Sequence, residues 1–192
     1  MRDAALQMMI DRLQDAFAGA DLSSPARAAL DKLFTRLETT AALGQPSGEH
    51  LPVTALFTAA LAAVPRGLAP LAASLATLAP TLAWTTRKVV GPTASAGFPE
   101  AHANAMLIGP GSLEPRDDVW IGLSLMAPNT RYPDHDHAPE EVYLVLSEGA
   151  FLQGEPEWLP RKPGQTVYNT PGIRHAMRAG DQPFLALWCL PI

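Results

Sequence analysis

The sequence predicts an α+β protein, with an N-terminal helical part packed on a small antiparallel β-barrel or sandwich. Two observations support this prediction. Apolar residues recur at helical spacing through residues 1 to about 90. Beyond Gly91-Pro92, short apolar runs are separated by Pro, Gly, Asn and Asp, which is typical of strands joined by turns. We therefore expect a helical scaffold or lid in residues 1–92 and a β domain in residues 93–192.

Length, charge and cysteine content exclude several classes of protein. The 192 residues suffice for one domain with an appended subdomain, and 47% of them are apolar, which supports a sizeable core. The net charge is −5 and basic residues form no run longer than a pair, so we expect neither a nucleic acid nor a membrane as a partner. The single Cys189 excludes an internal disulfide, and residues 1–17 lack a secretory apolar stretch. A cytoplasmic location is the resulting expectation.

Three amphipathic helices are expected in the N-terminal part. The first covers residues 6–17, whose apolar members follow i, i+3, i+4, i+7 spacing. The second begins at Ser24-Pro25, an N-cap followed by proline, and ends at Gly44. The third covers residues 56–64 and ends at Pro65. The Ala- and Leu-rich surface of these helices could also support a homodimer.

One uncharged stretch, from Gly67 to Trp84, approaches the length of a membrane span. Pro70 and Pro80 lie within it and would break a continuous helix. We interpret the stretch as two short helices or helix–loop segments that are packed in the protein interior.

Four β-like runs follow in the C-terminal part. They cover residues 120–126, 142–146, 165–168 and 184–190. Turn-forming pairs such as Pro128-Asn129, Pro163-Gly164 and Gly180-Asp181 separate them. This alternation predicts antiparallel strands that fold into a barrel or a sandwich.

Potential metal ligands are concentrated in the segment before and within the second of these runs. His135 and His137 are two positions apart, so both imidazoles point to one face of an extended backbone. Glu141 and Tyr143 share a face for the same reason. The loop between the two pairs can turn the chain so that all four side chains approach one point.

A further donor lies much later in the sequence. The chain that leaves the turn Pro171-Gly172 can direct His175 back into the barrel. Imidazole, carboxylate and phenolate together suit a borderline divalent metal such as iron, zinc, manganese or nickel, and ligand type does not choose among them.

These motifs resemble those of the cupin superfamily. His135, His137 and Glu141 match the H-x-H-x3-E spacing of the first cupin motif, and His175 with the glycines before it matches the second. The departures from both motifs are in turn residues. The resemblance covers residues 95–192 and implies a double-stranded β-helix barrel with a metal site inside.

Within the cupins, the closer resemblance is to bacterial dimethylsulfoniopropionate (DMSP) lyases of the DddQ type. Those proteins are similarly short, have a helical N-terminal half, and carry tyrosines at the positions of Tyr132 and Tyr143. The resemblance implies one divalent transition metal, iron, zinc or manganese, held by His137, Glu141, Tyr143 and His175. His135 is then either an additional ligand or a polar group that faces the substrate.

The activity that this resemblance implies is a β-elimination. DMSP carries a dimethylsulfonium group β to a carboxylate, so removal of the α proton releases dimethyl sulfide and leaves acrylate. We expect Tyr143 to act as the general base, with Tyr132 orienting the substrate or serving as the alternative base. Aromatic rings would hold the sulfonium by cation–π attraction, and Trp188 and Trp120 are the candidates.

Two other functions stay open at this point. Two histidines and a carboxylate with free coordination positions also form the facial triad of non-haem iron oxygenases. A phenolate ligand from Tyr143 would close one of the positions that oxygen needs. The remaining interpretation is a cupin that binds a small carboxylate without converting it.

Overall fold

The computed structural model describes residues 1–88 and 90–192. The α-helices are α1 (Ala4–Ala18), α2 (Ser24–Leu37), α3 (Phe57–Ala62), α4 (Ala69–Leu78) and α5 (Phe98–Ala101). Short 3-10 helices cover Pro52–Leu56, Arg66–Leu68 and Ala79–Thr81. The strands are β1 (Trp84–Thr85), β2 (His102–Ile108), β3 (Val119–Met126), β4 (Glu141–Val145), β5 (Gly149–Gln153), β6 (Trp158–Arg161), β7 (Thr166–Asn169), β8 (His175–Ala179) and β9 (Phe184–Pro191). Helices followed by an antiparallel β part confirm the predicted α+β class.

The first two helices form where the sequence predicts them, but the second is shorter than expected. The N-cap of α2 is Ser23, not Ser24, and the helix ends at Leu37 instead of near Gly44. Two arginines from other parts of the chain, the buried Arg2 and the half-buried Arg116, explain this early end. Arg2 donates to the carbonyl of Leu37, and Arg116 donates to the carbonyl of Arg36. These carbonyls are thereby satisfied without another helical turn.

The third predicted helix is divided, because the 3-10 helix Pro52–Leu56 leads into the short α3. The uncharged stretch after Gly67 contains one α-helix, α4, extended by a 3-10 turn, and not two helices. No helix within the described residues is by itself long and apolar enough to cross a bilayer. Pro52–Ala62 and Arg66–Thr81, bent by 106° to each other, meet that requirement of length and composition only as a pair.

The strands form two antiparallel sheets. The larger sheet has the order β1-β2-β3-β9-β4-β7, and the smaller has the order β6-β5-β8. All four predicted runs are strands, with bounds that differ by at most one residue. Five further strands, β1, β2, β5, β6 and β8, were not predicted. Since β1 pairs with β2, the first 92 residues also contribute a strand to the larger sheet; the proposed division at residue 92 stays a prediction.

Two hydrophobic clusters lie on opposite faces of the larger sheet. The first joins the helices to the outer face of the sheet, where Leu123, Leu144 and Leu187 are fully buried. The second fills the space between the two sheets and includes Tyr132, Tyr143 and Phe151. The predicted site residues belong to this inner space, so the barrel is the part of the fold that positions them.

Candidate metal centre

Two predicted histidines are brought together by backbone pairing. The segment after β3 runs antiparallel beside β8, and His135 and His175 exchange both backbone hydrogen bonds, at 3.0 and 2.8 Å. Their ring centroids are 4.0 Å apart. The ring of His137 lies 5.0 Å from that of His175, and the donor atoms of all three histidines are within 4.8 Å of one another. The structure therefore brings His175 next to His135 and His137, which precede it by about forty positions in the sequence.

Hydrogen bonds fix the tautomer of each ring. The Nδ1 atoms of His135, His137 and His175 each lie 2.8–2.9 Å from a backbone carbonyl oxygen. The acceptors are the carbonyls of Pro133, Pro139 and Ile173. Because a carbonyl only accepts, each Nδ1 carries the proton, and each neutral ring keeps its lone pair on Nε2. This is the tautomer that binds a metal through Nε2.

A carboxylate completes the group. Glu141, at the start of β4, is 4% exposed, and its Oε2 lies 3.3 Å from the Nε2 atoms of both His137 and His175. Burial alone would raise the pKa of Glu141, but the close contacts with the two imidazoles lower it to about 2. Glu141 is therefore ionised at neutral pH.

The protonation of two of the imidazoles is set by different surroundings. Burial, reinforced by the neighbouring His175 imidazole, lowers the pKa of His135 to about 3, so this ring is neutral. Burial also opposes the charged form of His137, yet the neighbouring Glu141 carboxylate raises its pKa above the usual value. A cation bound between the imidazoles would take the place of that proton.

The donor set fits a divalent transition metal. The Nε2 of His175 is buried and makes no aligned hydrogen bond within the described part of the chain, despite its close approach to Glu141. Buried polar atoms are normally satisfied, and a shared cation would satisfy this lone pair together with those of His135 and His137. Three imidazoles and one carboxylate could therefore bind one metal ion, whose identity the ligand types do not determine.

Tyr143 lies two residues after Glu141 on β4 and faces the same inner space. Its ring packs edge-on against Phe151, with centroids 5.2 Å apart. Burial raises the pKa of Tyr143 well above its ordinary value, and the charge of Glu141 adds to this effect. The hydroxyl is therefore protonated at neutral pH in the structure as described. The predicted role of Tyr143 as a metal ligand and base stays a prediction.

Tyr132 also faces the inner space, with its ring centroid 5.0 Å from that of His135. Its hydroxyl oxygen accepts a hydrogen bond from Asn104 Nδ2 at 3.1 Å, and Asn104 Oδ1 in turn accepts from Ser124 at 2.8 Å. In this arrangement Ser124 is the donor to the Asn104 amide, and Asn104 is the donor to Tyr132. The proton of the Tyr132 hydroxyl is left to point elsewhere in the site.

Trp188 is the cross-strand neighbour of Tyr143, on β9. On its other side it pairs with Gly122 of β3, where a Cβ atom would come within 2.2 Å of the indole. Glycine at that position therefore leaves the space that the Trp188 ring occupies. Trp120, the other candidate, pairs with Leu190 nearer the start of β3.

Several polar residues around the site were not predicted from the sequence. Asn169 is fully buried, and its Nδ2 donates to Glu141 Oε2 at 2.9 Å. Arg87 places its guanidinium carbon 5.7 Å from the centre of the Tyr132 ring. His102, which had no assigned role, accepts from the backbone N–H of Arg87 through Nε2 and donates to the Phe98 carbonyl through Nδ1. Of these residues, only Asn169 could have been found from a pairing of strands, because the antiparallel register of β4 and β7 places it opposite Glu141.

Comparison with known proteins gives a consistent result. The family model described as dimethylsulfoniopropionate lyase matches residues 25–186. The DMSP lyase DddQ of Ruegeria pomeroyi is 37% identical over 101 residues, which cover 50% of this chain and 49% of the relative. DddL of Cereibacter sphaeroides, a candidate DMSP lyase, is 30% identical over 152 residues, which cover 79% of this chain and 63% of the relative. The matches thus span less than two thirds of either relative's own length.

Solved structures share the fold. The crystal structure of DddQ from Ruegeria pomeroyi superposes with a TM-score of 0.75 at 23% identity, covering 99% of this chain and 92% of that one. A second crystal structure, from work on the DMSP lyases RdDddP and RnDddQII, gives a TM-score of 0.73 over 98% and 93% of the two chains, also at 23% identity. Two antiparallel sheets that enclose three imidazoles and a carboxylate form the kind of barrel with an internal site that the resemblance to cupins implies. Because the family model covers well over half of its length, the chain belongs to the dimethylsulfoniopropionate lyase family.

Proposed function

We propose that this protein is a metal-dependent lyase that cleaves DMSP to acrylate and dimethyl sulfide. Its membership of the DMSP lyase family supports the substrate. The observation that carries the proposal is the convergence of three imidazole lone pairs and the Glu141 carboxylate beside two buried tyrosines. The ion is iron, zinc or manganese in this proposal, and the expected homodimer and cytoplasmic location stay predictions.

The reaction needs a base next to the α carbon of the substrate. A bound divalent cation supplies a Lewis acid that stabilises the charge growing on the substrate carboxylate and favours the phenolate form of an adjacent tyrosine. The phenolate oxygen of Tyr143 takes the α proton, and the electron pair of the C–H bond forms the double bond of acrylate. The C–S bond breaks at the same time, and its electron pair leaves on the sulfur of dimethyl sulfide. In this assignment Tyr143 lies at the edge of the metal centre, because it follows Glu141 by two residues on the same strand and faces the same inner space.

The remaining aromatic residues hold the substrate. Trp188 is partly exposed next to Tyr143 and offers a ring face to the sulfonium. Tyr132, packed beside His135, orients the substrate through the hydroxyl proton that Asn104 does not use. Burial of the Tyr132 and Tyr143 rings reduces the access of water to the carbanion-like charge as it forms.

The test is incubation of the purified protein with DMSP after loading with zinc, manganese or ferrous iron, each in turn, under anaerobic conditions. Headspace dimethyl sulfide and dissolved acrylate in equal amounts are expected from at least one metal-loaded form, with little product from chelator-treated protein. Because oxygen is absent, product release also separates a lyase from an oxygenase. Binding of the metal without any release of product would contradict the lyase and favour a non-catalytic cupin.

The matched variants are His175→Ala and His50→Ala. His175 belongs to the proposed ligand set, whereas His50 lies in an exposed part of the helical half. Loss of metal and of activity is expected only for His175→Ala. Full activity of His175→Ala would contradict the assigned centre.

A further inference from the structure

Two amide side chains, the fully buried Asn169 and the half-buried Gln153, form a continuous hydrogen-bonded chain next to the carboxylate of the candidate centre. Gln153 Nε2 donates to the backbone carbonyl of Tyr168 at 2.6 Å and to Asn169 Oδ1 at 2.7 Å. Asn169 Nδ2 then donates to Glu141 Oε2 at 2.9 Å. The oxygen that Asn169 contacts is the one that faces His137 and His175.

The direction of every bond in this chain follows from its first member. The carbonyl of Tyr168 can only accept, so Gln153 must direct its NH₂ group toward it. The same NH₂ group meets Asn169, which must therefore present its oxygen to Gln153 and its own NH₂ group to Glu141. Each amide orientation is thus determined by a backbone group that cannot be reversed.

The chain also connects the two sheets next to the ligands. Asn169 on β7 is the cross-strand partner of Glu141 on β4. Gln153 on β5 is the cross-strand partner of His175 on β8. The Gln153–Asn169 contact therefore spans from the smaller sheet to the larger one, and it joins the neighbours of two proposed ligands that come from different sheets.

We propose that Asn169 and Gln153 are positioning residues that hold the Glu141 carboxylate toward the three imidazoles and thereby set the metal affinity of the centre. This inference rests on the metal site of the proposed function. Without this donor the Glu141 carboxylate can rotate away from the imidazoles, whereas the hydrogen bond donated to Oε2 holds that oxygen toward them. Because Asn169 is fully buried, water does not replace that donor.

The experiment compares zinc dissociation constants of the wild type, Asn169→Leu and Gln153→Leu, measured by competition with a chromogenic chelator. Asn169→Leu keeps the approximate volume but removes the donor, and an affinity about 10- to 100-fold weaker is expected. Gln153→Leu leaves Asn169 free to rotate, so a smaller loss in the same direction is expected. Visible absorption of the cobalt-loaded forms reports the geometry, and the spectrum should change in both variants, which a loss of stability alone would not cause.

Tyr168→Phe is the matched control. Tyr168 lies on the same strand as Asn169, and the variant removes the hydrogen bond that the Tyr168 hydroxyl donates to Glu140. It keeps the backbone carbonyl of residue 168, to which Gln153 donates. Its zinc affinity and cobalt spectrum should equal those of the wild type. If Asn169→Leu does not fold, Gln153→Leu alone decides the matter. Wild-type affinity and spectrum in the folded variants would overturn the positioning role, whereas a wild type that binds no zinc, cobalt, manganese or iron would contradict the metal centre itself.

Discussion

The two faces of the larger sheet differ in chemistry although they belong to the same strands. Along β4, Val142 and Leu144 face the helices, whereas Glu141 and Tyr143 face the barrel interior. The outward residues of the three central strands are Ile121, Leu123, Leu125, Val142, Leu144, Leu185, Leu187 and Cys189, and each is fully buried. The inward positions of these strands include Ser124, Glu141, Tyr143 and Trp188.

The difference teaches how the fold supports a costly site. Removing Glu141 and the imidazoles from water opposes folding. The apolar outer face contributes hydrophobic stabilisation on the same strands, one residue away from each polar group. Substitutions on the inner face should therefore change activity, and those on the outer face should change stability.

The largest effect is expected on the inner face, from Tyr143→Phe. Loss of a general base typically lowers the rate by about 10²- to 10⁴-fold, while the ring that packs against Phe151 is retained. The initial rate of dimethyl sulfide release measures the first effect, and the thermal unfolding midpoint should remain close to that of the wild type. Near wild-type turnover would exclude Tyr143 as the base, and Tyr132→Phe would then test the alternative.

The next effect concerns a buried charge cluster that fastens the helical layer to the barrel. Glu114 is fully buried and pairs with Arg2 and Arg116. Removing one member of a buried pair typically costs about 3–5 kcal/mol, so Glu114→Gln should lower the free energy of unfolding by that amount near neutral pH. Urea unfolding measures this loss. The Michaelis constant for DMSP should not change, since the cluster lies outside the barrel interior.

The same pair predicts a pH dependence. Burial opposes the charged form of Glu114. The hydrogen bonds and the positive charge of Arg2 outweigh this effect, so the pKa of Glu114 lies below its ordinary value. A carboxyl group whose pKa is lowered by folding stabilises the protein above its unfolded pKa of about 4.3 and loses that contribution as the pH falls through the folded value. The stability difference between wild type and Glu114→Gln should therefore shrink in acid below about pH 4. A difference independent of pH would contradict this assignment.

A slightly smaller stability effect is expected on the outer face. Leu144→Ala removes a fully buried side chain that packs between β4 and the helices, at a cost of about 2–4 kcal/mol. Turnover by the folded fraction should equal that of the wild type. A large loss of turnover at unchanged stability would contradict the separation of the two faces.

The smallest effect is expected at Gly122. A methyl group there would overlap the Trp188 indole, and such overpacking typically costs about 1–3 kcal/mol. Displacement of the ring should also raise the Michaelis constant for DMSP if Trp188 holds the sulfonium. Gly180→Ala is the control, because its Cβ would meet open space. An unchanged Michaelis constant in Gly122→Ala would remove Trp188 from the substrate site.

Local pattern was sufficient for part of this picture. The spacing of His135, His137 and Glu141 and the turn before His175 predicted which side chains converge, because alternation along an extended chain is a local property. The strands β5 and β8 escaped prediction because glycine, histidine and arginine interrupt their apolar pattern. Their β conformation comes from pairing with distant strands.

The supporting polar residues could not be found in the same way. The role of Asn169 depends on the register between β4 and β7 and on the position of Gln153 in the other sheet. Neither is encoded in residues near Asn169. Likewise, α2 ends early because of Arg2 and Arg116, which approach it from distant parts of the chain.

The paired backbones of His135 and His175 have a consequence for how the chain closes. The two residues already exchange both amide hydrogen bonds. An ion held by both rings would add a cross-link at the same place. Because this cross-link forms only in the native state, it would close a loop of about forty residues there and not in the unfolded chain. Amide deuterium exchange at these two positions should then slow more on metal addition than exchange in α1. Loss of the ion should accordingly loosen this backbone pairing before it affects the helices.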